Sequence, residues 1–343
     1  MPAIELMVRF NILFLFLFLS LSAQRFPNPT VDSLLTNGIN FILLEDYNSA
    51  EKNFQSLNQQ FPDLPLGNIF LAAVNISKAT DYNFELNEDK LDLLFENAEE
   101  ITENYKDKYG ENLWYHYFVA LVNGYKSYYS IEQKDYLSGM FDGIESIKSF
   151  ENCLEIDKNF AEAFVIIGNY LYWKSKKTEF LEWFPFIEDN TDQGIKFLER
   201  AVEETTYSRK LAVYTLIWVY INEKRFQDAV NLSRKILDQY PNNRFVKRAL
   251  ASAYYYLDKE KSIEILNQIK SSLVEDNALN GRNKIILNYR VAKLYFELKN
   301  YKKAGDICSK LLSDYAQTKT SDDVIIKRIE MTKELSEKIK ENL

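Results

Sequence analysis

Histidine is almost missing from this chain: His116 is the only one in 343 residues. Its scarcity removes the material for His-based metal sites, Ser-His-Asp triads and imidazole proton shuttles. His116 itself lies in an aromatic stretch, Trp114-Tyr115-His116-Tyr117-Phe118, where a packed or hydrogen-bonded role is expected. Cysteine is nearly as rare. Cys153 and Cys308 stand far apart at apolar positions of helical stretches and read as small core residues without a disulfide. There is no glycine-rich phosphate loop and no zinc-type cysteine spacing, so neither metal nor cofactor is expected. Ten glycines and seven prolines are too few for an all-β chain with many turns. Positive charge is in deficit, 42 Lys and Arg against 50 Asp and Glu, for a net charge of −8. That balance argues against a nucleic-acid partner, whose binding is dominated by Lys and Arg. Carboxylates so numerous, spread over amphipathic helices, read as solvated faces rather than as an acid–base pair. The expectation is a protein that is not an enzyme.

What the chain has in quantity is hydrophobic residues, 46% of the total, and aromatics, 15% with 23 tyrosines. The first 23 residues are a targeting segment in their pattern. Arg9 precedes an apolar run from Phe10 to Leu19, followed by Ser20, Ser22 and Ala23, the order of a secretory signal peptide. The run is short for a membrane span. No cysteine follows it, which excludes a lipoprotein anchor. Cleavage is expected after Ala23, and Glu5 in the leading region makes Met7 an alternative start. Export to the periplasm is expected, with secretion second.

The stretch Lys210–Asn243 sets the organisation of the remainder. Val213, Leu216 and Tyr220 fall on one helical face, the link Asn222-Glu223-Lys224-Arg225 is polar, and Phe226, Ala229, Ile236 and Leu237 form the inner face of a second helix. Pro241 cannot continue that helix. The unit resembles the tetratricopeptide repeat, a helix pair of about 34 residues with an Ala opening the second helix and a closing Pro. It departs from the pattern at Ile217, where the family prefers a small residue. Residues 31–62 form a second clean copy, with Gly38, Phe41, Tyr47, Ala50, Phe54 and Pro62 at the marked positions. Residues 244–274 and 285–316 are further copies, the latter marked by Ala292, Tyr295, Tyr301, Ala304 and Cys308.

Residues 65–206 are looser. The pair at 65–108 has a long turn from Asp81 to Asp89, and the pairs at 110–157 and 161–206 are enlarged. The same interval separates Ala120 from Ser146 and Gly168 from Gly194, which suggests an excursion between the helices of both pairs. The second excursion, 174–190, is rich in aromatics (Phe180, Trp183, Phe184, Phe186). It reads first as a segment packed on its own helices, and second as a lid or partner patch. Residues 321–343 read as an end helix with a wetted outer face. The fold class that the resemblance implies is all-α, a right-handed α-solenoid of about seven helix pairs and a C-terminal cap, open and curved with a hollow flank, over residues 24–343 after a signal peptide at 1–23.

The resemblance also implies that the first helix of each pair lines a concave groove. Carried over position by position, the groove residues are Tyr117, Tyr125, Asn169, Tyr172, Trp173, Tyr214, Trp218, Arg248, Tyr255, Tyr289, Arg290 and Lys293. Such a groove is aromatic in the middle and basic toward the C-terminal end, suited to a protein or peptide partner with an acidic group. The implied function is an exported, non-enzymatic binding or scaffold protein, by analogy in cell-envelope assembly. A carbohydrate-binding protein is the alternative, with the Trp173–Trp183–Trp218 region as its candidate. An all-helical glycosidase is the third reading, and the short glycine-poor loops speak against it.

Overall fold

The computed structural model describes residues 24–178, 189–316 and 321–342. Residues 1–23, which hold the expected signal peptide, and 179–188, most of the expected aromatic excursion, lie outside the described residues. Among the described residues the chain forms fifteen α-helices and no strand. The seven pairs are α1 (Pro29–Leu43) with α2 (Tyr47–Gln60), α3 (Leu66–Tyr82) with α4 (Glu88–Tyr109), α5 (Leu113–Glu132) with α6 (Tyr136–Ile156), α7 (Glu162–Thr178) with α8 (Thr191–Glu204), α9 (Arg209–Asn222) with α10 (Phe226–Leu237), α11 (Arg244–Leu257) with α12 (Lys259–Glu275), and α13 (Gly281–Glu297) with α14 (Tyr301–Tyr315). The last helix, α15 (Asp323–Lys340), packs on α13 and α14 as a cap. This is an all-α solenoid.

Local chemistry explains why the helices start and stop where they do. Asn28, Asp46, Asn87, Asn112, Asp135, Asn243, Asp258, Asn280, Asn300 and Asp322 each cap a helix by accepting backbone N–H groups. Four pairs share one turn. Glu45, Lys134, Lys224 and Lys299 all take left-handed φ between 57° and 66°. In each turn the next residue's N–H reaches back to the preceding helix, as Asp46 N–H does to the Phe41 carbonyl and Arg225 N–H to that of Tyr220. That is the helix-ending loop in which a left-handed residue lets the chain reverse at once. A non-glycine residue there costs about 1 kcal/mol.

Packing within the pairs follows the small residues. A Cβ on Gly38 would lie 2.3 Å from the Phe54 ring, which is fully buried. Gly168 and Gly194 bring α7 and α8 so close that a Cβ on Gly194 would stand 2.7 Å from the Gly168 carbonyl oxygen. Ala50, Ala98, Ala229 and Ala304 are buried at the start or middle of the second helices. Cys153 and Cys308 are free thiols in the core, as their apolar positions imply.

Two expectations are corrected. The third pair has no excursion: α5 and α6 are themselves long and turn directly at residues 133–135. Gly139 and Gly143 of α6 lie against Ser127 of α5, so the added length is a continued helix hairpin. The extension leaves Tyr136, Leu137 and Phe141 more than 60% exposed.

The second correction concerns shape. The spine is not open along its length, because the first two pairs pack against the fifth to seventh. The Phe26 N–H donates to the Tyr207 hydroxyl (2.8 Å), which in turn donates to Asp32 (2.6 Å). Tyr240 donates to Asn40 (2.7 Å), and the Asn243 amide to the Leu43 carbonyl (2.9 Å). Asn283 donates to the Tyr82 carbonyl (2.8 Å), and Arg282 pairs with Glu85 (2.8 Å). At the centre of this seam Arg244 is almost wholly buried, bonded to Asp81 (2.6 Å), Glu45 (3.0 Å) and Asp276 (2.6 Å). Tyr47 donates to the same Asp81 carboxylate (3.1 Å).

Candidate functional site

The inner face is built from first helices, which stack α3 on α5 and α7 on α9 on α11. The seam divides it. Several of the expected groove residues, on both sides of it, are consumed by packing. Tyr117 is buried against Phe118, Phe150 and Phe160, with its hydroxyl unpartnered among the described residues, and burial raises its pKa well above the usual phenol. Tyr125 is half-buried on α5, and desolvation pushes its hydroxyl to about 12. Tyr172 is fully buried; its hydroxyl donates to Glu223 (2.6 Å) and accepts from Asn222 (2.7 Å). Tyr289 is buried with Arg328 over its ring at 4.9 Å. Tyr117, Tyr172 and Tyr289 are therefore core residues rather than exposed groove walls. Helical spacing placed them on the packed stripe and its flank at once, and packing prevailed.

Seven residues remain accessible: Asn169 and Trp173 on α7, Tyr214 and Trp218 on α9, Tyr255 on α11, and Arg290 and Lys293 on α13. Tyr214 links the strip together, edge-on to Trp218 (6.2 Å) and to Phe245 of α11 (6.1 Å). Burial raises its pKa, since the phenolate would lose its solvation. The Tyr255 hydroxyl donates to Glu297 (2.5 Å), and that bond and burial together push it to about 12. Lys293 is exposed, 5.6 Å above the Tyr255 ring and 3.9 Å from Glu297.

The two expected arginines have different fates. Arg248 donates to the Asp81 carboxylate (2.9 Å) and to the Asp81 carbonyl (2.6 Å), so it serves the seam. Arg290 has no carboxylate within salt-bridge range among the described residues; its recorded hydrogen bond runs to the Ser252 hydroxyl at 3.1 Å. Burial, followed by the like charges of Arg248 and Arg328, lowers its pKa. A half-buried guanidinium close to two others is a poor arrangement for the free protein. It is a good one for an incoming anion, because a carboxylate or phosphate can take the planar fork in two parallel bonds.

Three contributors escaped the sequence reading. Asp81 was read as part of a turn, yet it stays in α3 and neutralises Arg248. Phe245 and Arg328 flank the strip from α11 and α15. No period in the sequence relates Asp81 to Arg248, so only a coordinate shows the pairing.

The parallel ring pair demanded by the sugar-binding reading is not formed by the described residues. Tyr172 meets Trp173 at 82° and Tyr214 meets Trp218 at 81°, both edge-on, while Trp183 lies outside the described residues. No cluster of three or more His, Cys, Asp or Glu side chains able to hold a metal occurs among the described residues. Nor is any described helix long and apolar enough to cross a membrane. His116 is half-buried beside Asn152 (3.4 Å), with its pKa lowered by burial.

Comparison with known proteins supplies a family for part of the chain. Residues 288–318, which overlap α13 and α14, match the tetratricopeptide repeat family. Among curated proteins none matches. Similar solved structures include the C-terminal part of a TPR repeat-containing protein from Cytophaga hutchinsonii, at 15% identity over 86% of this chain and 99% of that one, TM-score 0.39. A tetratricopeptide repeat protein from Parabacteroides merdae aligns at 12% identity over 89% and 100%, TM-score 0.38. Aspartyl phosphate phosphatase F from Bacillus subtilis aligns at 14% identity over 94% and 84%, TM-score 0.44. The matched residues include Arg290 and Lys293 of the inner face.

Proposed function

We propose that the chain is an exported, non-enzymatic scaffold that binds an acidic stretch of a polypeptide on the inner face of α9, α11, α13 and α15. The observation that carries this reading is Arg290, half-buried and, among the described residues, unmatched by a carboxylate beside Arg248 and Arg328. Tyr214, Trp218, Phe245 and Tyr255 supply stiff apolar area next to it, as peptide-binding surfaces commonly do. The seam supplies the chemistry of the contact in miniature. Arg248 already takes a carboxylate and a main-chain carbonyl from one residue, Asp81, which is what an acidic segment would offer Arg290. The local basic strip disfavours basic segments at this face. A role in cell-envelope assembly would follow from export, for which the support is the pattern Arg9–Ala23.

The test is a titration of the full chain with a fluorescent acidic, tyrosine-containing peptide and with its amide counterpart, in which Asp and Glu become Asn and Gln. Saturable binding of the acidic peptide alone, weakening with salt, is expected. Equal affinity for both peptides would refute the reading. Fractionation of cells expressing the chain tests export separately: retention in the cytoplasm would remove the envelope role.

A further inference from the structure

A second basic site lies away from the inner face, where α12, α13 and α14 enclose a cavity of about 330 Å³. Each helix turns one face to it. Lys270 comes from α12, Lys284, Asn288 and Val291 from α13 at helical spacing, and Lys310 and Leu311 from α14. The floor is apolar, since Val291 and Leu311 belong to the core. The rim is not. Among the described residues three ammonium groups line the cavity with a single carboxylate, Asp314, which accepts from Lys284 at 2.7 Å. Lys270 donates to a neutral acceptor, the Asn288 side-chain carbonyl, at 2.8 Å. Burial, then repulsion from Lys310 and Lys284, lowers the Lys270 pKa. In a chain with a net charge of −8, three lysines converging on one cavity with one counter-charge run against the average.

We propose that this cavity binds a small organic dianion, its head held by Lys270, Lys284 and Lys310 and its apolar body resting on Val291 and Leu311. The geometry supports each half of that description. The excess of two positive charges at the rim matches a phosphate monoester or a dicarboxylate. The volume lies within the range of small-molecule pockets and exceeds what an inorganic ion fills. The Asn288 amide nitrogen, which Lys270 does not engage, offers donors to the same head group.

Isothermal titration of the full chain with phenyl phosphate, with phthalate and with inorganic phosphate tests the proposal. Saturable millimolar or tighter binding of phenyl phosphate or phthalate is expected, tighter than inorganic phosphate and weakened by salt. Whichever of the two binds better identifies the head group. Lys310→Gln, at an exposed position that does not threaten the fold, and Lys270→Gln should each weaken binding by roughly tenfold, the loss of one charge-assisted hydrogen bond. Two results would overturn the proposal: no saturable binding of either organic anion, or binding untouched by both lysine substitutions. Binding that persists in Lys310→Gln but falls in Arg290→Met would place the anion on the inner face, and would equally overturn it.

Discussion

Arg244 and Arg290 stand on neighbouring first helices, the one buried and the other half-buried, yet they do opposite things. Arg244 meets Asp81, Glu45 and Asp276, three carboxylates from three parts of the chain. Arg290 meets a serine hydroxyl and two like charges. A buried cation with its counter-charges built in is architecture, because the folded chain has already supplied what the charge requires. A half-buried cation without them is, on the proposed reading, where an anionic group of the partner docks. The contrast separates a sealed half, the seam around Arg244, from an available half, the strip on α9, α11 and α13 around Arg290.

The largest expected effect falls on the sealed half. Asp81→Ala leaves Arg244 and Arg248 without their shared carboxylate and Tyr47 without its acceptor. Urea denaturation should show a loss of about 3–5 kcal/mol, as for other buried pairs broken on one side. A loss within the error of the extrapolation would mean that the seam is not closed in solution. The counterpart on the available half is Arg290→Met. Removing a guanidinium that faces Arg248 and Arg328 should leave stability unchanged or raise it by up to about 1 kcal/mol. A loss as large as that of Asp81→Ala would erase the distinction between the two arginines.

A smaller effect concerns pH. The seam holds Glu45, Asp81 and Asp276 against Arg244 and Arg248, one carboxylate in excess. Burial and then the Asp81 charge raise the Glu45 pKa to about 8, against the opposing pull of Arg244. Burial works against the Arg244 charge too, but its bond to Asp81 and the charges of Asp81 and Glu45 outweigh it and raise its pKa. With Glu45 raised in the folded state, the folded chain binds the proton more tightly than the unfolded one. Stability from this group is complete below the unfolded value of 4.5 and is lost as pH climbs through about 8. Glu45→Gln, which keeps a neutral acceptor in place, should therefore gain on the wild type as pH rises from 5 to 8. Parallel stability curves for the two proteins would contradict the assignment. The smallest effect is expected at Lys293, exposed and only loosely paired with Glu297. Lys293→Ala should weaken acidic-peptide binding by less than about fivefold, the scale of a rim charge.

The fold was legible because its determinants are local. Gly38, Ala50, Ala229 and Pro241 mark close approach and helix ends within one helix pair, so their spacing is visible in the sequence. The recurrent left-handed turn at Glu45, Lys134, Lys224 and Lys299 was not visible, since no glycine marks it. The seam was illegible for another reason. Asp81 and Arg244 belong to turns of the superhelix that meet only after several pairs have stacked, and small rotations at each pair accumulate to decide the meeting. The equal intervals Ala120–Ser146 and Gly168–Gly194 were ambiguous in kind, because added length between two marked positions fits a loop or a longer hairpin alike. Of the inner face, Asn169, Trp173, Tyr214, Trp218, Tyr255, Arg290 and Lys293 were named by carrying over the positions of the resembled repeat, and each is at least partly accessible in the structure. Tyr117 and Tyr172 were misplaced because a tyrosine serves packing and contact equally well.

The claim that the available half of the inner face is a site for acidic polypeptide is tested most directly by binding isotherms of the acidic peptide to the wild type and to Arg290→Glu. The account predicts a loss of at least roughly a hundredfold in affinity, beyond removal of one charge-assisted bond because the new carboxylate repels the ligand. An Arg290→Glu protein that remains folded and binds the peptide as tightly as the wild type would contradict it.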